Sequence, residues 1–190
     1  MTAIDVLDKS GTEDCAAASS VEDVYRAHSE FVWVCLQRFG VRERDLDDAL
    51  QEVFVVVHQR LVTFRGEARI TTWLYAICLR VAAAHRRRGH VRRELAVHDF
   101  SEAAALDQSS PEDDFALQQK QHILSRILDE LDLEKRALLV MFEIDELACD
   151  EIATILGVPL GTVYSRLHAA RKAFEKAVSR YHARTRGGCQ

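Results

Sequence analysis

Hydrophobic residues recur at three- and four-residue spacing along most of the chain, which is the pattern of amphipathic α-helices. The first such face covers 21–39, with Ser20 as an N-terminal cap and Gly40 as a stop signal. A second helix is predicted over 45–61, with acids in its first turn, where the helix dipole favours them. A third is predicted from about 71 and ends in the polar run 85–89. Three amphipathic helices with short connections predict one small bundle.

The periodic pattern stops after this third helix and resumes in the C-terminal half. Residues 89–110 have no apolar period and turn acidic, which predicts a flexible linker. Ser110 and Pro111 restart a helix as capping residue and first helical position. Further helices are predicted over 111–131, 132–144, 150–156 and, after a glycine turn, about 160–182.

This order of elements predicts an all-α protein of two small helical domains joined by a flexible acidic linker. The predicted divisions are a flexible N-terminus 1–20, a first domain 21–88, a linker 89–110, a second domain 111–182 and a tail 183–190.

Composition agrees with a folded protein. The chain has 190 residues, of which 48% are hydrophobic, and no apolar run is long enough to cross a bilayer. The first residues lack the basic start and apolar core of a secretory signal. Five scattered cysteines, never spaced C-x-x-C, indicate reduced thiols rather than a disulfide framework. We therefore expect a cytoplasmic protein without direct membrane insertion.

Charge is unevenly distributed along the chain. Residues 1–59 carry a net charge of −7 and residues 96–115 a net charge of −6, whereas 60–95 carry +7. The basic block has nine arginines and no lysine, and the planar guanidinium suits phosphate binding. A basic block between acidic segments predicts a localised contact with a polyanion.

The segment Glu151–Phe174 has the pattern of a helix-turn-helix. A short apolar helix is followed by Gly157, which permits a sharp turn, and then by a long helix. Hydroxyls and cations near the start of that helix suit phosphate and base-edge contacts in a major groove. The alternative is a solvated helical hairpin without a ligand. The predicted outward residues are Thr162, Tyr164, Ser165, Arg166 and His168.

The stretch Phe64–Trp73 places aromatic side chains beside arginines. Guanidinium groups follow phosphates while aromatic faces stack on unpaired bases, which is the combination that single-strand binders use. The alternative is that both aromatic rings belong to the core. The later run Arg86–Arg88 could likewise be a solvated helix end.

These motifs together resemble the extracytoplasmic-function (ECF) sigma factors of the sigma-70 family. The sequence DLDDALQEVF over 45–54 is similar to the family's D-A-E-D-L-V-Q-E-V-F helix. The sequence FRGEARITTWL over 64–74 is similar to F-R-G-E-A-R-F-S-T-W-L, and residues 157–171 are similar to G-V-P-x-G-T-V-K-S-R-L-x-R-A-R. The resemblance covers 21–88 and 111–182.

The resemblance implies an alternative RNA polymerase sigma factor, stress- or signal-responsive, without enzymatic activity, metal or cofactor. Its partners would be core RNA polymerase (the β′ clamp helices and the β flap), promoter DNA and an anti-sigma factor. The implied polymerase-binding residues are Asp48, Gln51, Glu52 and Phe54. The implied −10 DNA-binding residues are Phe64, Arg65, Arg69, Thr72, Trp73, Arg80, Arg86 and Arg87. The implied −35 DNA-binding residues are Thr162, Tyr164, Ser165, Arg166, His168 and Arg171.

Several positions depart from the family pattern. Tyr164 stands where lysine is frequent, Ala169 where arginine is frequent, and Ile70 where phenylalanine is common. The preferred promoter bases therefore do not follow from the resemblance. Ala148 replaces a serine cap before the short helix, which costs on the order of 1 kcal/mol unless Asp150 offsets part of it.

Two other classes of function are alternatives to a sigma factor. A conventional helix-turn-helix regulator, whose first domain senses a signal or dimerises, would leave the motifs over 45–54 and 64–74 unexplained. An enzyme is disfavoured because the sequence has no H-E-x-x-H, H-x-x-x-C-x-x-C, nucleophile elbow or glycine-rich phosphate loop. His85 and His90 are five residues apart, which is a poor spacing for one metal ion.

Overall fold

The computed structural model describes residues 20–64, 66, 68–95 and 112–187. Several predicted regions fall partly outside these residues, namely most of the linker 89–110, nearly all of the N-terminus 1–20 and part of the tail 183–190. Arg65, Ser110 and Pro111 also lie outside them. The described chain contains seven α-helices, which are α1 Val21–Arg38, α2 Leu46–Arg60, α3 Ile70–Leu95, α4 Glu112–Asp129, α5 Leu133–Leu139, α6 Cys149–Leu156 and α7 Leu160–Gly187. None of the helices in this described part is long and apolar enough to span a membrane.

Both predicted ends of α1 are confirmed. The Asp23 N–H donates to the Ser20 hydroxyl over 3.2 Å, which satisfies one of the unpaired donors at the helix start. At the other end Gly40 adopts a left-handed conformation with φ of 84°. The N–H groups of Gly40 and Val41 then donate back to the carbonyls of Gln37 and Leu36. This pairing ends the helix in the way that glycine favours.

Helices α1, α2 and α3 form a three-helix unit, which we call the front unit (residues 20–95). The apolar face predicted for each helix is turned inward except at Tyr25, which is 47% exposed. Phe31 meets Tyr75 edge-on with ring centroids 5.0 Å apart. The bundle predicted from the spacing of apolar residues is therefore present. Its most deeply buried side chains include Val32, Leu36, Phe39, Leu46, Val53, Val57, Leu74 and Tyr75.

The third helix is longer than the sequence pattern predicted. It was expected to end at 85–89, but α3 continues through Gly89 to Leu95. Gly89 is buried and keeps a negative φ, and Arg42 Nη2 donates to its carbonyl oxygen over 3.4 Å. Gly89 therefore lies within the helix instead of ending it, and a side chain from the loop after α1 packs on it.

Helices α4 to α7 form a second unit, which we call the rear unit (residues 112–187). Asp132 caps α5 by accepting from the Lys135 N–H over 2.9 Å. One π-helical turn, Val140–Ile144, follows α5 directly, so the helix predicted over 132–144 is present with a wider last turn. Glu146 then adopts a positive φ of 52°, which is uncommon for a residue with a side chain.

The front and rear units are in direct contact. Helix α3 packs against α6, and the buried apolar residues of both units belong to one hydrophobic cluster. The prediction of two helical units is confirmed, but their contact was not predicted.

Candidate nucleic-acid interface

A small pocket lies beside the start of α3 in the front unit. The half-buried rings of Phe64 and Trp73 have centroids 5.1 Å apart and planes inclined by 36°. Thr72, one of the predicted DNA-binding residues, also lines the pocket. The two rings thus pack on each other while each keeps an accessible part. Stacking of an unpaired base on them stays a prediction. The remaining front-unit lining comes from Thr63, Ala68 and Ala76.

The arginines predicted to bind DNA around this pocket differ in their surroundings. Arg69, Arg80 and Arg87 are exposed at the surface of α3 and the loop before it. Arg86 is half-buried instead, and it donates to the carbonyls of Phe39 over 3.4 Å and Leu131 over 3.0 Å. Arg86 therefore joins the two units. Neither of the two interpretations of this arginine, as a DNA contact or as part of a solvated helix end, predicted that role.

The helix-turn-helix is formed by α6 and α7. Gly157 has a φ of 64°, and its N–H and that of Val158 donate back to carbonyls of α6, which makes the sharp turn. The Glu151 carboxylate accepts from the Ala148 N–H over 3.1 Å, which is the half of a capping box that does not need a serine at position 148. The predicted geometry is confirmed.

Most residues predicted to contact duplex DNA lie on the outer side of α7. Tyr164 is 58% exposed, His168 and Ser165 are exposed, and Thr162 is half-buried. The Ser165 hydroxyl donates to the Thr162 carbonyl over 2.9 Å, which holds its oxygen close to the helix surface.

The two arginines of this surface already have anionic partners in the rear unit. Arg166 forms an ion pair with Glu134 of α5. Arg171 Nε donates to Glu143 over 2.8 Å, and its guanidinium lies 5.2 Å from the centroid of the Phe142 ring. The sequence pattern did not indicate these pairs. A phosphate would have to replace a carboxylate, or share the guanidinium with it, at each position.

The residues predicted to bind polymerase differ in their exposure and their contacts. Asp48 and Gln51 are exposed on α2. Glu52 accepts from Arg88 over 2.8 Å, and the pKa of its carboxyl is lowered mainly by this hydrogen bond, with His85 adding to the effect. Phe54 is only 8% exposed and packs edge-on against Tyr25, so in this structure its ring belongs to the core.

Sequence reasoning missed a group of polar residues between the two units. Arg38 at the end of α1 forms an ion pair with Asp145, which is 5% exposed. Arg136 of α5 is 2% exposed, and its Nε donates to the Arg38 carbonyl over 2.6 Å. Burial raises the pKa of the Asp145 carboxyl, and the Arg38 guanidinium opposes that rise. The sequence did indicate that Arg136 is buried, because it lies on the apolar face of α5, three residues after Leu133 and four before Val140.

Within the described ranges, no three side chains of the ligating types gather at a spacing that could hold a metal ion.

Comparison with known proteins accounts for both units. The family model "Sigma-70 region 2" matches residues 24–92 in the front unit, and the model "Sigma-70, region 4" matches residues 121–174 in the rear unit. The chain is 32% identical over 180 residues to the ECF RNA polymerase sigma factor SigE of Mycolicibacterium smegmatis, covering 92% of this chain and 67% of that protein. The chain belongs to the ECF sigma factors.

A second relative of this ECF sigma factor is the ECF RNA polymerase sigma-E factor of Escherichia coli K12. The two are 31% identical over 141 residues, covering 70% of this chain and 74% of the relative. The resemblance inferred from the three motifs is thereby confirmed.

Solved structures are similar in fold to this ECF sigma factor. One is CnrH in complex with the cytosolic domain of CnrY, with a TM-score of 0.60 and 21% identity over 84% of this chain and 87% of that chain. Another is the sigma factor RpoE in complex with the anti-sigma factor NepR from Bartonella quintana, with a TM-score of 0.61 and 18% identity over 83% and 96%. The likeness confirms the all-α fold. The individual DNA- and polymerase-binding residues remain predictions.

Proposed function

We propose that this ECF sigma factor is an alternative initiation factor that binds core RNA polymerase, recognises −35 and −10 promoter elements and starts transcription in response to a stress or signal. The observation that carries this function is the order of the two matched regions, one on each helical unit. The factor itself catalyses no reaction, because strand separation needs binding energy rather than a nucleophile or a metal.

Polymerase binding is assigned to the outer face of α2. Asp48 and Gln51 are exposed there, with Glu52 one turn beyond Asp48. The resemblance assigns this face to the β′ clamp helices of core polymerase, whose β flap is a further expected contact. Because Phe54 is a core side chain, its role is to hold α2 against α1 rather than to touch polymerase.

Strand separation is assigned to the start of α3. A base removed from the duplex loses its stacking partner, and an aromatic surface can replace that partner. Phe64 and Trp73 supply such a surface, while the exposed Arg69, Arg80 and Arg87 supply positive charge for the strand's phosphates. Arg65, Thr72 and Arg86 were predicted for the same contact.

Duplex recognition is assigned to α7. The outer side of its first turns presents hydroxyl, aromatic, imidazole and guanidinium groups, which suit base edges and phosphates of a major groove. Arg166 and Arg171 contribute by exchanging their carboxylate partners for phosphates.

An anti-sigma factor is proposed as a further partner. The two similar structures described above each contain a second protein, the cytosolic domain of CnrY with CnrH and the anti-sigma factor NepR with RpoE. The half-buried Val56 and the 54% exposed Val55 on α2 give such a partner apolar surface to cover. We place the complete system in the cytoplasm, where core polymerase and promoters are found.

Run-off transcription tests the proposal directly. The purified chain is mixed with core polymerase and genomic promoter fragments, beginning with the region upstream of its own coding sequence. The expected result is a transcript of defined start that requires both the chain and core polymerase. Operator binding of nanomolar affinity without polymerase, and no transcript from any fragment, would instead identify a conventional helix-turn-helix regulator.

A further inference from the structure

Two large apolar side chains are exposed at the start of α7, the helix assigned to duplex DNA. Leu160 is 42% exposed and Tyr164 is 58% exposed. Residues four positions apart lie on the same face of a helix, so the two side chains form one patch, which we call the apolar patch. A single exposed apolar residue is common on protein surfaces, but this pair adjoins the very residues that are predicted to contact base edges.

The helix surface beside the apolar patch is bare. Gly161 follows Leu160, and no atom of the surrounding structure lies within 4 Å of the position that its Cβ would take. A glycine on an open helix face lets a ligand approach the backbone closely. A base edge can therefore reach the flanks of both apolar side chains without a steric obstacle from α7.

The polar groups of the same surface are engaged within the rear unit. The Ser165 hydroxyl donates to the Thr162 carbonyl over 2.9 Å. Arg166 forms an ion pair with Glu134 of α5. Each of these groups has to exchange a partner before it binds DNA, whereas an apolar side chain has no polar partner to exchange. The apolar patch is thus the part of this surface that is available for DNA without rearrangement.

The major groove of DNA presents one kind of apolar group on its base edges. Adenine, guanine and cytosine expose hydrogen-bond donors and acceptors there, whereas thymine also exposes its 5-methyl group. An apolar side chain in the groove therefore favours thymine over the other bases. Tyr164 stands where the family pattern has lysine, a side chain that favours guanine instead.

We propose that Leu160 and Tyr164 are specificity-determining residues that read the 5-methyl groups of thymines in the −35 element. This inference rests on the proposed function, because it names the bases that α7 recognises. The two residues are about 6 Å apart along the helix axis, at 1.5 Å per residue. Base pairs follow one another at about 3.4 Å, so the thymines in contact should lie within about three successive base pairs.

Removal of the methyl group from the DNA tests the proposal without any change in the protein. The chain is assembled with core polymerase, and the probe is a duplex promoter identified by run-off transcription. Deoxyuridine replaces each thymidine of the −35 element in turn, which deletes the methyl group and keeps every hydrogen-bonding group of the base. We expect about fourfold weaker binding at the contacted positions, as for exposure of one buried methyl group. Deoxyuridine in the spacer between the two elements is the control and should have no effect.

Variants of the chain assign the methyl effect to the apolar patch. Tyr164→Lys and Leu160→Ala should each abolish the response to deoxyuridine at the position that the lost side chain contacts. Tyr164→Phe keeps the ring and should keep the response. The matched control is Leu124→Ala, which shortens a 37% exposed apolar side chain on α4 and should also keep the response. All of these positions are at the surface, and circular dichroism checks that each variant is folded.

The outcomes separate this inference from the proposed function. Equal binding of the parent and every deoxyuridine probe, or a −35 element without any A·T pair, would overturn methyl readout. A methyl effect that survives both Tyr164→Lys and Leu160→Ala would overturn the assignment to these residues. So would a loss of core polymerase binding in Tyr164→Lys without DNA, because the patch would then contact protein. Transcription that is insensitive to deoxyuridine contradicts only this inference, whereas absence of any transcript contradicts the proposed function itself.

Discussion

Arg136 donates its Nε–H to the backbone carbonyl of Arg38 over 2.6 Å, although the two residues are 98 positions apart in the sequence. The guanidinium is almost fully buried and also pairs with Asp129. Burial lowers the pKa of Arg136, and Asp129 opposes that effect. This single side chain therefore ties α5 of the rear unit to the end of α1.

We expect Arg136→Ala to lower the free energy of unfolding by about 2 to 3 kcal/mol, because a buried hydrogen-bonded cation is lost and the Arg38 carbonyl loses its donor. Urea denaturation followed by circular dichroism measures the change. The adjacent Lys135→Ala is the control, since Lys135 makes an exposed pair with Asp132 and should cost no more than about 1 kcal/mol. Equal losses in both variants would contradict the role of Arg136.

The carboxyl of Glu52 should titrate below its ordinary range. Its pKa is lowered by Arg88, so the contact contributes stability above the pKa of the unfolded chain and loses it as the pH falls through the lowered folded value. We expect Arg88→Ala to raise the pKa of Glu52, as measured by carbon-detected NMR titration. Arg87→Ala removes a neighbouring exposed arginine and should leave the pKa of Glu52 where it was. A titration curve of Glu52 that is insensitive to Arg88 would refute the pairing.

Charge reversal at Asp48 tests the polymerase-binding face. Asp48→Arg should weaken binding to core polymerase by tenfold or more, on the order of 1.4 kcal/mol, while the circular dichroism spectrum stays unchanged. Asp47 is also exposed on α2 and was not assigned to the contact, so Asp47→Arg is the matched control. Fluorescence anisotropy with labelled chain gives both affinities. If both reversals weaken binding equally, the effect comes from net charge rather than from a specific contact.

Arg166→Ala tests duplex recognition by α7. Transcription from a duplex promoter should fall far more than transcription from a pre-melted template without the −35 element. The salt dependence of duplex binding should also decrease by about one unit of slope, as for one lost phosphate contact. Lys172→Ala, elsewhere on α7, is the control for loss of one positive charge. An equal fall on both templates would show that Arg166 does not act through the −35 element.

Two glycines near the helix-turn-helix should respond to alanine in opposite directions. Gly157 has a φ of 64°, so Gly157→Ala should destabilise the chain by about 1 kcal/mol. Gly161 lies within α7 with open space around its Cβ position, so Gly161→Ala should stabilise the chain by about 0.5 kcal/mol. Thermal denaturation of the two variants measures whether each one raises or lowers the melting temperature. A shift of the same sign in both would refute the conformational argument.

The helices of this protein were predictable because their apolar faces repeat at helical spacing. Ser20 and Gly40 marked the ends of α1 correctly, and Gly157 marked the turn of the helix-turn-helix. The sequence pattern places the end of α3 too early, because a glycine such as Gly89 after a polar run is typical of a helix end. The carbonyl and the Cα of Gly89 face Arg42, a contact that no local pattern shows.

The ion pair between the two units, formed by Arg38 and Asp145, could not be predicted because it too is a tertiary contact. Arg38 and Asp145 are ordinary surface residue types, and only the fold brings them together. The turn that presents Asp145 also lacks the usual signal, because Glu146 rather than glycine or asparagine takes the positive φ. Tertiary contacts of this kind decide the position of a charged side chain without leaving a periodic trace in the sequence.

The corner at Gly40 has a consequence for anyone who builds chimaeras from these proteins. Two guanidiniums, from Arg86 and Arg136, rest against its bare α-carbon. A recipient with a side chain at position 40 would strain the backbone, whose φ there is 84°, and would force both guanidiniums to move. A chimaera should therefore keep Gly40, Arg86 and Arg136 together.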